Sequence, residues 1–309
     1  MAVLLVLMLL GAGYESVAEA SDVRAYPPPG QLVDVGGHRL HIHCLGSGSP
    51  TVVIDAGLGD WSAGWESWVQ PEVARTTRVC TYDRAGMGYS EAGPLPRTAE
   101  RFAQELHALL QQAGIAGPYV LVGHSMGGLP VLVFAHTYAA EVAGMVLIES
   151  MVPSQATSSA EDVPQAADAG SSNDWVLTLP ARIGLLRVLA GPLGITSGLS
   201  PQVADAYLAF SVTPRSMQAT LDEGKGMAAS LAQAGKVTSL GALPLIVLSR
   251  GLDHDSDWQQ QQAELLLLSS ESQQLIADRS GHNVELDQPD VAVEAIVRMA
   301  EQIRRQPTQ

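Results

Sequence analysis

Positive charge is scarce in this chain. Its 309 residues hold 17 Lys and Arg against 32 Asp and Glu, a formal net charge of −15. Between Arg101 and Arg182 there is no Lys or Arg, whereas Glu105, Glu141, Glu149, Glu161, Asp162, Asp168 and Asp174 fall there. This balance argues against nucleic acid and anionic membrane surfaces as partners, because Lys and Arg carry such contacts. It also disfavours anionic substrates and favours neutral or cationic ones. A solvated acidic surface that keeps the protein soluble accounts for the same imbalance. Cysteine is nearly absent. Cys44 and Cys80 alone exclude a disulfide-dense scaffold and a cysteine-based zinc site. Internal repeats are lacking, and beyond the N-terminus no apolar run is long enough to span a bilayer.

The one long apolar run is Ala2-Val3-Leu4-Leu5-Val6-Leu7-Met8-Leu9-Leu10. As a helix it reaches roughly 14 Å, short of a bilayer core of about 30 Å. It suits the apolar region of a signal peptide, with Ala18-Glu19-Ala20 as the cleavage site and Ser21 as the new N-terminus. No Lys or Arg precedes the run. Residues 1–20 are therefore read as a signal peptide or N-terminal anchor. The expected location is exported, periplasmic or secreted; a membrane-anchored protein, weakly associated through residues 2–13, and a cytoplasmic protein with an apolar start are the alternatives.

The whole chain is 46% hydrophobic, enough for a sizeable core. Runs Gln31–Val35 and Arg39–Leu45 flank Gly36-Gly37 and read as a hairpin. Thr51-Val52-Val53-Ile54-Asp55, Thr77–Asp83, Tyr119–Val122 and Met145–Glu149 are short apolar strands. Continuous rather than alternating apolarity marks strands covered on both faces. Thr98 opens a helix whose apolar side is Phe102, Leu106, Leu109/Leu110 and Ala113, stopped by Gly114. Residues 154–174 are Ser, Ala, Asp, Gln and Gly with little to bury, and are expected to be mobile. Order resumes with a strand at Leu243–Ser249, a helix near 257–268, the strand Gln274–Ala277 and a helix Val291–Arg304. Strands alternating with helices imply a mostly parallel α/β sheet with an antiparallel hairpin at one edge. Residues 21–150 and 241–309 form its two parts, and 151–240 interrupts them as a helical cap.

Gly123-His124-Ser125-Met126-Gly127 follows one of these strands and precedes a helix. Strand, G-x-S-x-G, helix is the context of a nucleophile elbow. A serine hydroxyl needs a base, a group that orients the base, and donors for the developing oxyanion. His282, in the loop Ser280-Gly281-His282-Asn283 after the last strand, is the expected base. Asp253, just past the strand before it, is the expected acid, with Glu149, Asp255 and Asp257 as rivals. The Met126 N–H, at a helix N-terminus, is one expected oxyanion donor. Leu58 N–H, between Gly57 and Gly59, is the other. Trp61 and His124 are the candidate substrate-lining side chains; Trp61, Trp65 and Trp68 also suit a core. His41 and His43 share a strand face without a third metal ligand nearby, and neither metal nor cofactor is expected.

Together, Asp55-Ala56-Gly57-Leu58-Gly59, Tyr82-Asp83-Arg84-Ala85-Gly86-Met87-Gly88-Tyr89-Ser90, the Ser125 pentapeptide and Ser280-Gly281-His282 resemble the α/β-hydrolase fold superfamily, as a serine esterase-like member. The resemblance covers about residues 30–150 and 240–304. It implies that the acid follows the strand before the last, which is Asp253, and that residues 151–240 are the cap. Ala56 stands where a histidine is common, so the oxyanion loop must be braced differently. It also implies neighbouring strands for Cys44 and Cys80, and hence a cross-strand disulfide in an exported protein. The expected activity is hydrolysis of neutral carboxylic esters through an acyl-enzyme. Amidase, peptidase, lactonase or acyltransferase chemistry on the same triad is the alternative, and a non-catalytic binding scaffold is a further one.

Overall fold

Short apolar runs, each too brief for a helix, assemble into one eight-stranded sheet. The computed structural model describes residues 2–153, 174–253 and 256–305. The strands are β1 (Gln31–Asp34), β2 (Arg39–Leu45), β3 (Thr51–Asp55), β4 (Val79–Tyr82), β5 (Tyr119–His124), β6 (Val142–Ile148), β7 (Leu245–Arg250) and β8 (Ser272–Ala277). Their order is β1-β2-β4-β3-β5-β6-β7-β8. β1 and β2 pair antiparallel, as does β2 with β4, and every other pair is parallel. This is the mostly parallel sheet with an antiparallel hairpin that the sequence implies. Every residue of β3, β4 and β5 is buried, as expected of strands covered on both faces.

The helices are α1 (Ala2–Ala25), α2 (Ser62–Val73), α3 (Ala99–Gln112) and α4 (Gly128–Thr137), then α5 (Asp174–Arg182), α6 (Leu185–Leu189), α7 (Pro201–Ser211), α8 (Pro214–Lys225) and α9 (Met227–Ala234), and finally α10 (Ser256–Leu266), α11 (Val284–Asp287) and α12 (Pro289–Arg305). α3 and α4 cover one face of the sheet through Phe102, Leu106, Leu129 and Leu132. α2 and α12 cover the other through Trp65, Val69, Ile296 and Met299. α3 follows its sequence pattern, but Thr98 makes no side-chain cap. The helix start is satisfied from outside: Ser230 Oγ and Gln233 Oε1 accept the N–H groups of Ala99 and Glu100, each at 2.9 Å.

Helices α5–α9 sit on the loops that follow β3 and β4. Trp61 Nε1 donates to Ser211 Oγ at 2.9 Å, and Arg215 donates to Gly88 O at 2.6 Å. The expectation of mobility for 154–174 concerns, up to residue 173, a stretch outside the described residues.

α1 is longer than the apolar run suggests. It runs unbroken for 24 residues through Ala18-Glu19-Ala20. It is long and apolar enough to cross a membrane. Its second half is docked on the cap: Arg187 pairs with Glu15 at 2.8 Å and with Asp22 at 2.7 Å. Its first half, from Val3 to Leu10, is largely exposed.

Cys44 and Cys80 are paired in register across β2 and β4 and are disulfide-bonded. The bond closes a loop with a sequence separation of 36, for which chain entropy alone gives about 3–4 kcal/mol. The Cys44→Ser/Cys80→Ser variant should lose most of this in urea unfolding. The wild type, denatured without reductant, should show no free thiol; two free thiols would contradict the bond.

Candidate active site

The turn between β5 and α4 is too tight for ordinary residues. Ser125 takes φ 52, a region that L-residues seldom occupy and that persists when the surroundings impose it. A Cβ on Gly123 would lie 2.7 Å from Gly127 O, and one on Gly127 would collide with the carbonyls of Asp55 and Ala56. Those close approaches explain the two flanking glycines. Pro130 falls in the first turn of α4, where its missing N–H costs nothing. Ser125 is thereby held at the end of β5, half-buried, facing a cavity of about 460 Å³.

His282, Leu58 and His124 line the same cavity. The structure thus brings together Ser125 and His282, which lie far apart in the chain. His282 Nδ1 lies 3.3 Å from Glu149 Oε2, which leaves Nε2 for the serine. No hydrogen bond joins Ser125 to His282 among the described residues. Such catalytic bonds commonly close only in the Michaelis complex.

The residue beside His282 is Glu149, not the expected Asp253. Glu149 follows β6, is fully buried, and has φ 47. Its Oε1 accepts the N–H of Arg250 at 2.7 Å and Trp258 Nε1 at 3.1 Å. The Arg250 guanidinium lies 3.3 Å from Oε2. Its carboxylate is therefore fixed by donors on two sides, as an orienting group must be. Asp253 is exposed, also with positive φ, and makes no hydrogen bond with His282. Asp257 is exposed and contacts Ser256, and Asp255 lies outside the described residues.

His124 lies in the cavity wall and also braces His282. Burial, with the nearby His282, pushes its imidazole down to about 4, so it is neutral near pH 7. Its Nε2 then donates to His282 O at 3.0 Å. Trp61 departs from expectation. It is 1% exposed and stacked on Tyr207 at 5.6 Å, with Phe210 and Tyr89 against its edges. It does not line the cavity: its indole N–H is committed to Ser211, and the ring seals the junction between cap and core.

Met126 opens the turn into α4, where helix-start N–H groups lack intrahelical acceptors. The Leu58 N–H makes no hydrogen bond among the described residues, while its neighbours do: Asp60 N–H to Gly57 O at 3.2 Å, and Gly59 N–H to Glu223 at 3.1 Å. Sequence reasoning missed what holds this loop. Arg84 donates to Ala56 O at 2.6 Å and to Gly57 O at 2.5 Å. The same guanidinium pairs with Asp55 and with Glu223 of α8, each at 2.6 Å. Arg84 thus takes over the bracing left open by Ala56. The signal was the Tyr82–Ser90 motif itself, but Glu223 is 139 residues away and no local pattern announces it.

His41 and His43 are each engaged by a carboxylate, Asp83 at 3.0 Å and Glu66 at 3.1 Å. Among the described residues, no group of three or more His, Cys, Asp or Glu is placed to hold a metal ion.

Residues 50–178 match the family model described as alpha/beta hydrolase fold. An uncharacterised protein of Bacillus subtilis, YqjL, is 26% identical over 259 residues, covering 82% of this chain and 85% of the relative. Other curated relatives are longer: the chain spans 18% of a probable transporter of Hormonema carpetanum, at 35% identity over 127 residues, covering 38% of this chain. Among solved structures, a thermophilic esterase from Thermogutta terrifontis superposes with TM-score 0.63 at 22% identity, covering 88% of this chain and 98% of that one. The epoxide hydrolase CorEH gives TM-score 0.67 at 19% identity, covering 89% and 99%. At such identities the likeness carries the fold. The chain has the alpha/beta hydrolase fold, which these solved structures share across more than one chemistry.

Proposed function

We propose that the protein is a serine hydrolase that cleaves carboxylic esters through an acyl-enzyme. The observation that carries this reading is Ser125, strained at φ 52, sharing one cavity with His282, whose Nδ1 is held by buried Glu149. Ser125 Oγ attacks the ester carbonyl while His282 Nε2 takes its proton. The N–H groups of Met126 and Leu58 hold the oxyanion. Collapse breaks the carbonyl–alkoxide bond, and His282 returns the proton to the departing alcohol. Water then adds to the acyl-enzyme with His282 as base, and the acid leaves with Ser125 restored. A serine at the elbow separates this site from hydrolases of the same fold that need a carboxylate nucleophile. The acyl-enzyme would serve amide, lactone or acyl-transfer chemistry as well, and the ester reading rests on the modest demand that an ester makes on the leaving group.

A fluorophosphonate probe should add one covalent mass at Ser125, and a panel of p-nitrophenyl esters should be hydrolysed, both abolished in Ser125→Ala. A panel without turnover, together with an unlabelled Ser125, would end the enzyme reading. The apolar α1 and the Cys44–Cys80 bond support an oxidising, exported location. The thiol count described above, made on protein taken from its own cell envelope or medium, tests that location.

A further inference from the structure

The cavity that holds Ser125 carries a second set of ionisable side chains that the ester mechanism leaves idle. Asp60, Glu285 and Tyr207 line it together with His124, and no Lys or Arg does so among the described residues. Glu285, on α11, is 2% exposed. Its Oε2 has no hydrogen-bond partner among the described residues and lies 3.7 Å from His124 Nε2. That nitrogen already donates to His282 O, so it does not satisfy the carboxyl. A buried carboxyl oxygen without a donor is costly. Asp60 accepts from Tyr207 OH at 3.1 Å. Beside it Gly64 leaves the carboxyl uncovered, since a Cβ there would stand 3.2 Å from Oδ2.

We propose that Asp60 and Glu285 form a cation subsite that receives an alkylammonium group of the substrate, so that amino-bearing esters are the preferred class. The inference rests on the ester-hydrolase reading and narrows its substrate. An ammonium group brings N–H donors for the unpartnered Oε2 and positive charge to a cavity wall that holds no Lys or Arg among the described residues. A hydroxyl would bring only the donor, and an anionic chain would meet two carboxyls.

The surroundings give the subsite a pH dependence. Burial, then the charge of Glu285, raises Asp60 to about 6. Burial raises Glu285 to about 7, with Asp287 raising it further and His282 lowering it. Tyr207 donates to Asp60, and His124 is neutral above about 4. Both carboxyls are therefore neutral at about pH 5 and charged at about pH 8, so attraction for a cation grows across that interval.

The test compares methyl esters that differ only by ammonium in place of methyl: β-alanine methyl ester with methyl butanoate, and ε-aminohexanoate methyl ester with methyl heptanoate. Each rate is divided by that ester's hydroxide rate. At about pH 8 at least one ammonium ester should exceed its partner in kcat/KM by about tenfold or more, the scale of one charge-assisted contact. The ratio should fall towards one at about pH 5, and in the Asp60→Asn/Glu285→Gln variant at either pH. Ratios at or below one in the wild type at about pH 8 would overturn the subsite. Calorimetry of n-butylammonium against n-butanol on Ser125→Ala keeps the two readings apart. Selective ammonium binding that Glu285→Gln abolishes, with no ester turned over by the wild type, sustains the subsite and sinks only the ester reading. Equal binding of the two probes overturns the subsite.

Discussion

Replacing Glu149 by Gln should lower kcat for ester hydrolysis by about 10³- to 10⁴-fold, whereas Asp253→Asn should stay within about twofold of the wild type. The amide keeps the shape of the carboxyl but loses the charge that stabilises the imidazolium of His282, and it offers the ring the wrong hydrogen-bond pattern. Glu149 Oε2 is the group at 3.3 Å from His282 Nδ1, and its other oxygen is held by Arg250 N–H and Trp258 Nε1. An amide cannot accept from all of these donors at once. KM should change far less than kcat, because the substrate never touches Glu149. Initial rates on a p-nitrophenyl ester, with circular dichroism to confirm folding, decide it. Near-normal kcat in Glu149→Gln beside a large loss in Asp253→Asn would return the role to Asp253.

The sequence left this choice open for a physical reason. Glu149 and Asp253 both follow the C-terminal ends of adjacent parallel strands, β6 and β7, which are in register at Ile148 and Leu248. Strand periodicity places both carboxyls in the same crevice and says nothing about which one turns inward. Both residues take a positive φ, so the choice is made by the donors from Trp258 and Arg250 that only the folded chain supplies. The elbow and His282 were legible because they depend on local motifs: glycines at a crowded turn, and a histidine after the last strand. Trp61 was misread because an aromatic beside an oxyanion loop suits pocket and core alike; Tyr207 and Phe210, almost 150 residues on, make it core. The helix α1 exceeds its apolar run because Glu15 and Asp22, polar in the sequence, find Arg187 on the cap.

The second large effect lies outside the triad. Arg84→Met should lower kcat by about 10²- to 10³-fold, the usual consequence of losing one oxyanion donor, though Arg84 touches neither substrate nor nucleophile. Its guanidinium ties the carbonyls of Ala56 and Gly57 on the loop that carries the Leu58 N–H. Without it the loop loses both anchors, and the donor has no fixed direction. Stability should fall as well, by about 3–5 kcal/mol, because Asp55 and Glu223 would remain buried without their partner. Glu223→Gln separates the two effects. It removes one charge while Asp55 and both carbonyls still hold Arg84, and it leaves the Gly59 N–H an amide oxygen in place of Glu223 Oε2. A fall in kcat of about tenfold is expected there, with KM nearly constant and a smaller loss in urea stability. The rate of fluorophosphonate labelling should drop in parallel, since the phosphonyl oxygen occupies the same hole. A purely structural Arg84 would lower the unfolding midpoint of both variants while leaving kcat and the labelling rate of the folded protein unchanged, and that outcome would remove Arg84 from the catalytic argument.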